Sequence, residues 1–395
     1  MPEKIKTSLV GCGGIARQHL YAFRELCRKG LGDFEIVAVC DVAETKAKSF
    51  ASEIKQFQKK TKPKIYTDFE DLLEKEDVQA VHLCTDHRTH HLIAVSSLEQ
   101  DKHVIVEKPL GITMKAGRRM IEAAEKHGKI LAVAEDRRFL LLNRASKWAI
   151  EQGYIGDVQM VIQIDVGGAP NFGRDLIVVG TPWRHKKLEG GAGTALDNGC
   201  HDIDTFRSLN GEIDEATGLI TTFEKTRVNR NEKGDIVEKV KCTTEDAGFA
   251  ILKFRNGSIG HWTPAYWAGH GEASSIGRWI YGSKGCLKNE WMVLDNGQKE
   301  NVMTMYLLNA DKDEREKFFP KGITNAFALE IHDFLEAIQE HRKPEVDGWE
   351  GLKDEAVCYA VIESSRLGRP VKVKDVLNGI VEDYQKEINK NLGLS

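Results

Sequence analysis

The chain has 395 residues, 41% hydrophobic and 29% charged, with a formal net charge of −4. That length exceeds one ordinary core and implies two domains. The charge balance gives no basic field for nucleic acid or anionic lipid, and no apolar run approaches the roughly 20 residues that span a bilayer. The start, Met1-Pro2-Glu3-Lys4-Ile5-Lys6, runs into a strand and not into a signal-peptide core. Eight cysteines stand singly, without a C-x-x-C pair, as expected of reduced thiols in the cytoplasm.

In chain order, residues 6–10 predict a short strand, and Ala16, Leu20, Phe23 and Cys27 then recur at helical spacing. Residues 35–40 form a β-branched run, and Ala47, Phe50, Ile54 and Phe57 mark a second helix. Strands are expected at 80–84 and 104–106 with a helix near 90–100 between them; Ala116, Met120, Ala123 and His127 mark another helix before a strand at 130–133. Such alternation predicts an α/β fold, a doubly wound parallel sheet with helices on both faces. After Arg138 the rhythm changes. Val158, Met160, Ile162 and Ile164 alternate with their neighbours, and runs at 249–254 and 258–262 flank Asn256-Gly257, a hairpin signal in which both central residues take positive φ. A second, α+β domain with a largely antiparallel sheet is expected, giving domains at 1–137 and 138–395. The charge-dense stretches 224–245 and 311–317 are expected to be solvated loops or hairpin tips, and the end after Asn378 a surface helix or loose tail.

Gly11-Cys12-Gly13-Gly14-Ile15-Ala16 falls between the first strand and the first helix, the context a dinucleotide-binding turn requires. Gly11 permits the tight turn, Gly13 a close approach of backbone to pyrophosphate, and Gly14 and Ile15 open the helix whose N–H groups meet its charge. Ala16 is small enough for helix–strand packing. Asp41 ends the second strand, where a carboxylate accepts from a ribose hydroxyl and repels a 2′-phosphate; Val42 and Ala43 follow it, so NAD is favoured over NADP. The alternative is that Asp41 only caps a turn.

With Thr85-Asp86-His87-Arg88-Thr89-His90, Glu107-Lys108-Pro109, Arg138-Phe139, Trp183-Arg184, Gly190-Gly191-Ala192-Gly193 and Asp197-Asn198-Gly199-Cys200-His201, the sequence resembles the glucose–fructose oxidoreductase / inositol dehydrogenase / rhizopine catabolism (Gfo/Idh/MocA) family over almost its whole length. The resemblance implies an N-terminal Rossmann domain, a C-terminal open sheet whose face makes homodimers or homotetramers, and pyridine-nucleotide redox chemistry on sugars and cyclitols. It implies cofactor contacts from Thr85, His87, His90, Glu107, Lys108, Trp183 and Arg184. One departure is Asp86, where relatives usually carry proline.

Oxidising a secondary alcohol needs a base for its proton while hydride leaves for the nicotinamide. Asp197 and His201 are four apart, in a stretch with helical spacing, so they are expected on one helix face. Histidine suits the base, and the carboxylate can orient substrate or base. Lys108 follows a buried strand at the carboxyl end of the sheet, where its ammonium can bond the reacting oxygen. Pro109 resembles the family in the cis bond expected to aim Lys108 inward. Trp183 offers an apolar face to a sugar ring. Arg138 is expected to bind substrate, against pairing with Glu135 or Asp136. Arg184, His185, Lys186 and Lys187 either meet an anionic substituent or form a solvated basic loop. Trp262, Trp267, Trp279 and Trp291 are expected in the core or a subunit interface. Asp197 and His201 also have metal-ligand spacing, but His87, His90 and His91 fall in the other domain, and no metal is expected. The expectation is an NAD-dependent dehydrogenase of a sugar or cyclitol ring hydroxyl. The rivals are a glycosidase that uses NAD for transient oxidation and elimination, and a non-catalytic sugar-responsive regulator.

Overall fold

The computed structural model describes residues 4–59, 61–167, 180–265 and 277–394. Its chain divides into two units, the first formed by Met1–Gly111, Ala116–Leu140 and Asp311–Gly351, the second by Ile112–Lys115, Leu141–Ala310 and Leu352–Ser395. In the first, β1 (Ile5–Val10), α1 (Gly14–Lys29), β2 (Phe34–Cys40), α2 (Glu44–Gln58), β3 (Lys64–Tyr66), α3 (Phe69–Lys75), β4 (Ala80–Leu83), α4 (His90–Glu99), β5 (His103–Glu107), α5 (Met114–His127) and β6 (Leu131–Ala134) alternate as strand and helix. The six strands are all parallel in the order β3-β2-β1-β4-β5-β6. Every residue of β4 is buried, as a strand covered by helices on both faces requires. The order reverses between β1 and β4, and in such sheets ligands bind outside the carboxyl ends of the strands at that point. β3 and α3 are additions to the expected elements. Asp68 caps α3 by accepting from Glu70 N at 2.9 Å.

The second unit opens with α6 (Leu141–Glu151) and β7 (Val158–Asp165), followed by the short helices α7 (Lys187–Gly190) and α8 (Thr194–Asp197) and then α9 (Gly199–Asn210). Strands β8 (Ile213–Thr221), β9 (Thr226–Arg230), β10 (Ile236–Lys241), β11 (Ala247–Phe254), β12 (Ile259–Pro264), β13 (Gly277–Gly282), β14 (Gly285–Lys288), β15 (Trp291–Leu294) and β16 (Lys299–Asn301) come next, then α10 (Val302–Asn309). With β17 (Val371–Lys372) they build a nine-stranded sheet, β16-β15-β14-β13-β7-β12-β11-β8-β17, antiparallel except at β7–β12; β9 and β10 pair separately. Trp262 is fully buried and donates Nε1 to Asp202 Oδ2 at 2.9 Å, so α9 is fixed to one sheet face by a satisfied buried carboxylate. Trp279 and Trp291 lie in the outer strands, and Trp267 falls outside the described residues.

One local expectation needs correction and two are narrowed. At the Asn256-Gly257 turn only Gly257 has positive φ, +92°; Gly257 N bonds Phe254 O at 3.1 Å and Phe254 N bonds Ser258 O at 3.0 Å, so one left-handed residue closes the hairpin. Residues 224–245 carry a hairpin, one of the two expectations for them, but they are not wholly solvated. They hold the β9–β10 hairpin, and Arg227 and Glu245 within them are buried. The end of the chain forms a helix over Lys386–Asn391 and is no loose tail: Tyr384, Gln385 and Ile388 are buried, and Met114 N donates to Gln385 Oε1 at 2.7 Å.

Before that end the chain returns to the first unit through α11 (Lys312–Phe318) and α12 (Ala326–Glu340). Residues 311–317 are thus mainly a helix, capped by Asp311, with no buried residue. α12 runs beside α1, with the His19 and Phe327 rings 5.8 Å apart and Asn325 Nδ2 2.9 Å from Glu25 Oε2. The long helix α13 (Gly348–Leu367) precedes β17, and α14 (Val373–Leu377) and α15 (Lys386–Asn391) follow it.

Candidate functional site

The glycine turn sits at the carboxyl end of β1. Gly11 has φ +90°, and a Cβ there would lie 2.5 Å from the Cys84 carbonyl oxygen, so only glycine fits between β1 and β4. Beside Gly13 and Gly14, by contrast, a Cβ would meet nothing within 4 Å. α1 starts there with no side-chain cap and no acidic residue in its first turn, so its N–H groups face that open space. Asp41 spans the turn: Oδ2 accepts from Cys12 N and Oδ1 from Ala43 N, each at 2.8 Å. A carboxylate has further lone pairs, so the cap and a ribose contact are compatible. Burial, and then Asp41, push the Cys12 thiol up to about 12, leaving it protonated.

Lys108 follows β5 directly, and its bond to Pro109 is cis. Glu107, before it, is buried and lies 2.8 Å from His19 Nε2, which ties the lysine loop to α1. Glu330 of α12 stands 4.0 Å from the same nitrogen with both carboxyl oxygens buried and without a hydrogen bond. Burial, and then Asp136, Glu107 and Glu135, hold its pKa well above the usual carboxylate range. His90, expected to touch cofactor, is fully buried: Nδ1 lies 2.8 Å from Pro109 O and Nε2 3.3 Å from Thr85 O, so the ring braces the two loops instead. Its pKa is lowered, chiefly by burial. His87 is also buried, its ring 5.7 Å from that of His90. Thr85 accepts from Thr89 Oγ1 at 2.8 Å, and Asp86 caps the turn at His87–Thr89 by accepting from Thr89 N at 3.3 Å. That cap explains a carboxylate at position 86. Arg138 pairs with Glu350 at 3.6 Å.

The second unit carries the other expected residues. Asp197 and His201 do not share one helix: α8 ends at Asp197, Asn198 intervenes, and α9 begins at Gly199, so His201 is in the first turn of a new helix. Asp197 is buried and ion-paired with Arg184, whose guanidinium lies 4.6 Å from the Trp183 ring. The basic segment is internally matched. Lys186 lies 3.7 Å from Glu189 and 3.6 Å from Glu238, and Lys187 is 3.0 Å from Glu387. His185 is buried, and its Nδ1 accepts from Arg227 Nη1 at 2.9 Å, which fixes the proton of the neutral ring on Nε2. Burial, then Arg227, lowers its pKa to about 4.

His19, Glu330, Arg227 and Glu245 were not among the expected site residues. The signal for His19 was legible, because it shares the buried stripe of α1 with Ala16, Leu20 and Phe23. Glu330, likewise, is a carboxylate among the buried residues of α12. Arg227 and Glu245 lay within a charged run that offered no such contrast.

Residues 5–135 match the family model described as "Oxidoreductase family, NAD-binding Rossmann fold", and residues 147–373 match "Oxidoreductase family, C-terminal alpha/beta domain". The myo-inositol 2-dehydrogenase of Thermotoga maritima is 26% identical over 377 residues, 94% of this chain and 100% of its own. The 1,5-anhydro-D-fructose reductase of Ensifer adhaerens is 26% identical over 317 residues, 79% of this chain and 84% of its own. Among solved structures, a levoglucosan dehydrogenase in complex with NADH superposes with a TM-score of 0.77 at 20% identity, covering 94% of this chain and 99% of its own. At that identity the likeness speaks for the fold.

Proposed function

The chain belongs to the Gfo/Idh/MocA family of NAD(P)-dependent oxidoreductases, and from that premise we propose that it oxidises a ring hydroxyl of a neutral sugar or cyclitol to the ketone, with NAD as acceptor. The observation that carries this reading is the placement of Lys108, which directly follows β5 in the parallel sheet behind a glutamate held by buried His19. The relatives named for inositol and anhydrofructose support the substrate class. Bound NAD supplies the hydride acceptor. The turn from Gly11 to Ile15 holds its pyrophosphate, and the Asp41 carboxylate takes a ribose hydroxyl and disfavours a 2′-phosphate.

Lys108 donates a hydrogen bond to the reacting oxygen and lowers the pKa of the alcohol. His201 takes the hydroxyl proton, and Asp197, itself held by Arg184, orients substrate or base. Trp183 offers its ring to the sugar, and Arg138, Thr85 and Glu107 contribute polar contacts. His87 and His90 brace the loops that carry them.

Leu219, Phe249, Ile251, Ile259, Tyr281 and Trp291 are exposed on one face of the nine-stranded sheet, with Phe249 directly opposite Leu219. A face of this kind is suited to a second copy of the chain, which makes the enzyme a homo-oligomer. No described helix is long and apolar enough to cross a membrane, and all eight cysteines are free thiols. Both observations accord with a cytoplasmic enzyme. The test is NADH formation across a panel of aldoses, anhydrosugars, inositols and glycosides. A sugar or cyclitol that yields NADH supports the reading, and a glycoside that loses its aglycone with no NADH overturns it.

A further inference from the structure

We propose that Glu245 is a positioning residue for Asp197, acting through the one-turn helix α8 that Asp197 ends. The inference rests on the functional reading of Asp197 given above. A four-residue helix has almost no hydrogen-bond ladder of its own, so its place is set by whatever its first N–H groups bond. In α8 those partners come from one residue: Thr194 N donates to the Glu245 carbonyl at 3.3 Å, and Ala195 N donates to Glu245 Oε1 at 3.0 Å. The approach is close enough that a Cβ on Gly193 would lie 1.8 Å from the Glu245 carbonyl oxygen, so the two loops are locked together. Asp197 N closes the turn onto Gly193 O at 2.9 Å.

The same short stretch also holds Arg184, the ion-pair partner of Asp197. Thr243 N donates to His185 O at 2.9 Å, and Lys187 N donates to Thr243 Oγ1 at 2.8 Å. Asp246 holds Arg227 at 3.1 Å, and Arg227 in turn bonds His185. Residues 243–246 therefore suspend both members of the Arg184–Asp197 pair.

Glu245 is buried, and its Oε2 makes no hydrogen bond. The groups around it are Asp246 and the phenols of Tyr359 and Tyr384, whose hydroxyls bond the carbonyls of Ile112 and Gly191 instead. Burial, against three backbone hydrogen bonds that favour the anion, leaves the carboxyl with a pKa of about 7. Protonation replaces a charge-assisted bond to Ala195 N with a weaker neutral one. The support under Asp197 thus loosens as pH falls through neutrality.

The experiment compares the native chain with Glu245→Gln, Glu245→Ala and Asp197→Asn. Hydrogen exchange of the peptide spanning 193–198 is followed from about pH 6 to pH 8, corrected for intrinsic rates, beside kcat and KM for myo-inositol and NAD. The expected result is a loss of protection below about pH 7 in the native chain, a pH-independent level close to that of the low-pH native chain in the Gln variant, and lower protection throughout in the Ala variant. kcat falls by about 10-fold or more in Glu245→Ala, as a misplaced reacting group demands, with little change in KM, and falls less in Glu245→Gln, whose neutral amide oxygen still accepts from Ala195 N. Protection that is independent of pH in the native chain overturns the inference, as does an unchanged kcat in Glu245→Ala where Asp197→Asn lowers it. An unchanged kcat in Asp197→Asn counts instead against the functional reading, and the exchange data then judge the Glu245–α8 link alone.

Discussion

His19 Nε2 and Glu107 Oε1 lie 2.8 Å apart across 88 residues of sequence, and both side chains are buried. The contact makes the helix that starts at the glycine turn and the loop that carries Lys108 one mechanical piece. His19→Ala takes one hydrogen-bonding partner from the buried Glu107 carboxylate. The expected cost is about 2–4 kcal/mol of unfolding free energy, together with a lower kcat. A denaturant midpoint equal to that of the native chain would show that the contact contributes nothing.

Glu330 is the reverse case. Its carboxyl is buried with both oxygens unbonded, and its pKa is raised by burial and three neighbouring carboxylates. In the folded chain it keeps its proton at a pH where the unfolded chain has already lost it. Folding therefore binds the extra proton, and stability falls as pH rises above the ordinary glutamate range. Glu330→Met is expected to gain about 1–3 kcal/mol at about pH 8 and to flatten that decline. Equal stabilities in the two chains between about pH 4 and pH 8 would refute it.

His185 carries the opposite sign. Its pKa is lowered to about 4 in the fold, so the unfolded chain takes up a proton first as pH falls through its ordinary value near 6.5. Stability present above that value is lost between about pH 6.5 and pH 4, by up to about 3 kcal/mol. His185→Gln keeps an acceptor for Arg227 and has no titration. The two chains should differ in the slope of unfolding free energy in that window, and parallel slopes would dismiss the assignment.

Asp41→Ala removes the acceptor of Cys12 N and Ala43 N and, with it, the proposed ribose contact. KM for NAD is expected to rise by about 10-fold or more, consistent with losing a charge-assisted bond, and the preference over NADP to shrink. Titration of both nucleotides by fluorescence checks this. An intact preference would mean that discrimination resides elsewhere.

Much of this arrangement could be read from residue order, for definite reasons. The apolar stripe of α1 and the β-branched run of β2 are local patterns, so the doubly wound sheet, the glycine turn and the lysine after β5 were visible. β3 and α3 were not, because three and seven residues carry too little periodicity. The spacing of Asp197 and His201 suggested one helix, yet Asn198 separates two, and spacing does not encode such a break. Arg227 looked solvated because its charge is neutralised by Asp246, 19 residues away. The return of Asp311–Gly351 to the first unit has no local signature either.

The exposed sheet face gives a further expectation. Phe249→Lys with Ile251→Glu places charges where a second copy would bury apolar surface. Light scattering should find the native chain as a dimer or tetramer and the double variant as a monomer. A native monomer at micromolar concentration would overturn the assembly.

The central claim is hydride transfer from the carbon that bears a ring hydroxyl, assisted by Lys108 and His201. Its most direct measurement is NADH absorbance with a panel of neutral sugars and cyclitols, for the native chain beside Lys108→Ala and His201→Ala. The account predicts stoichiometric NADH from at least one cyclic polyol and a kcat about 10²–10⁴-fold lower in each variant. Release of aglycone from a glycoside with no NADH, or native turnover in both variants, would contradict it.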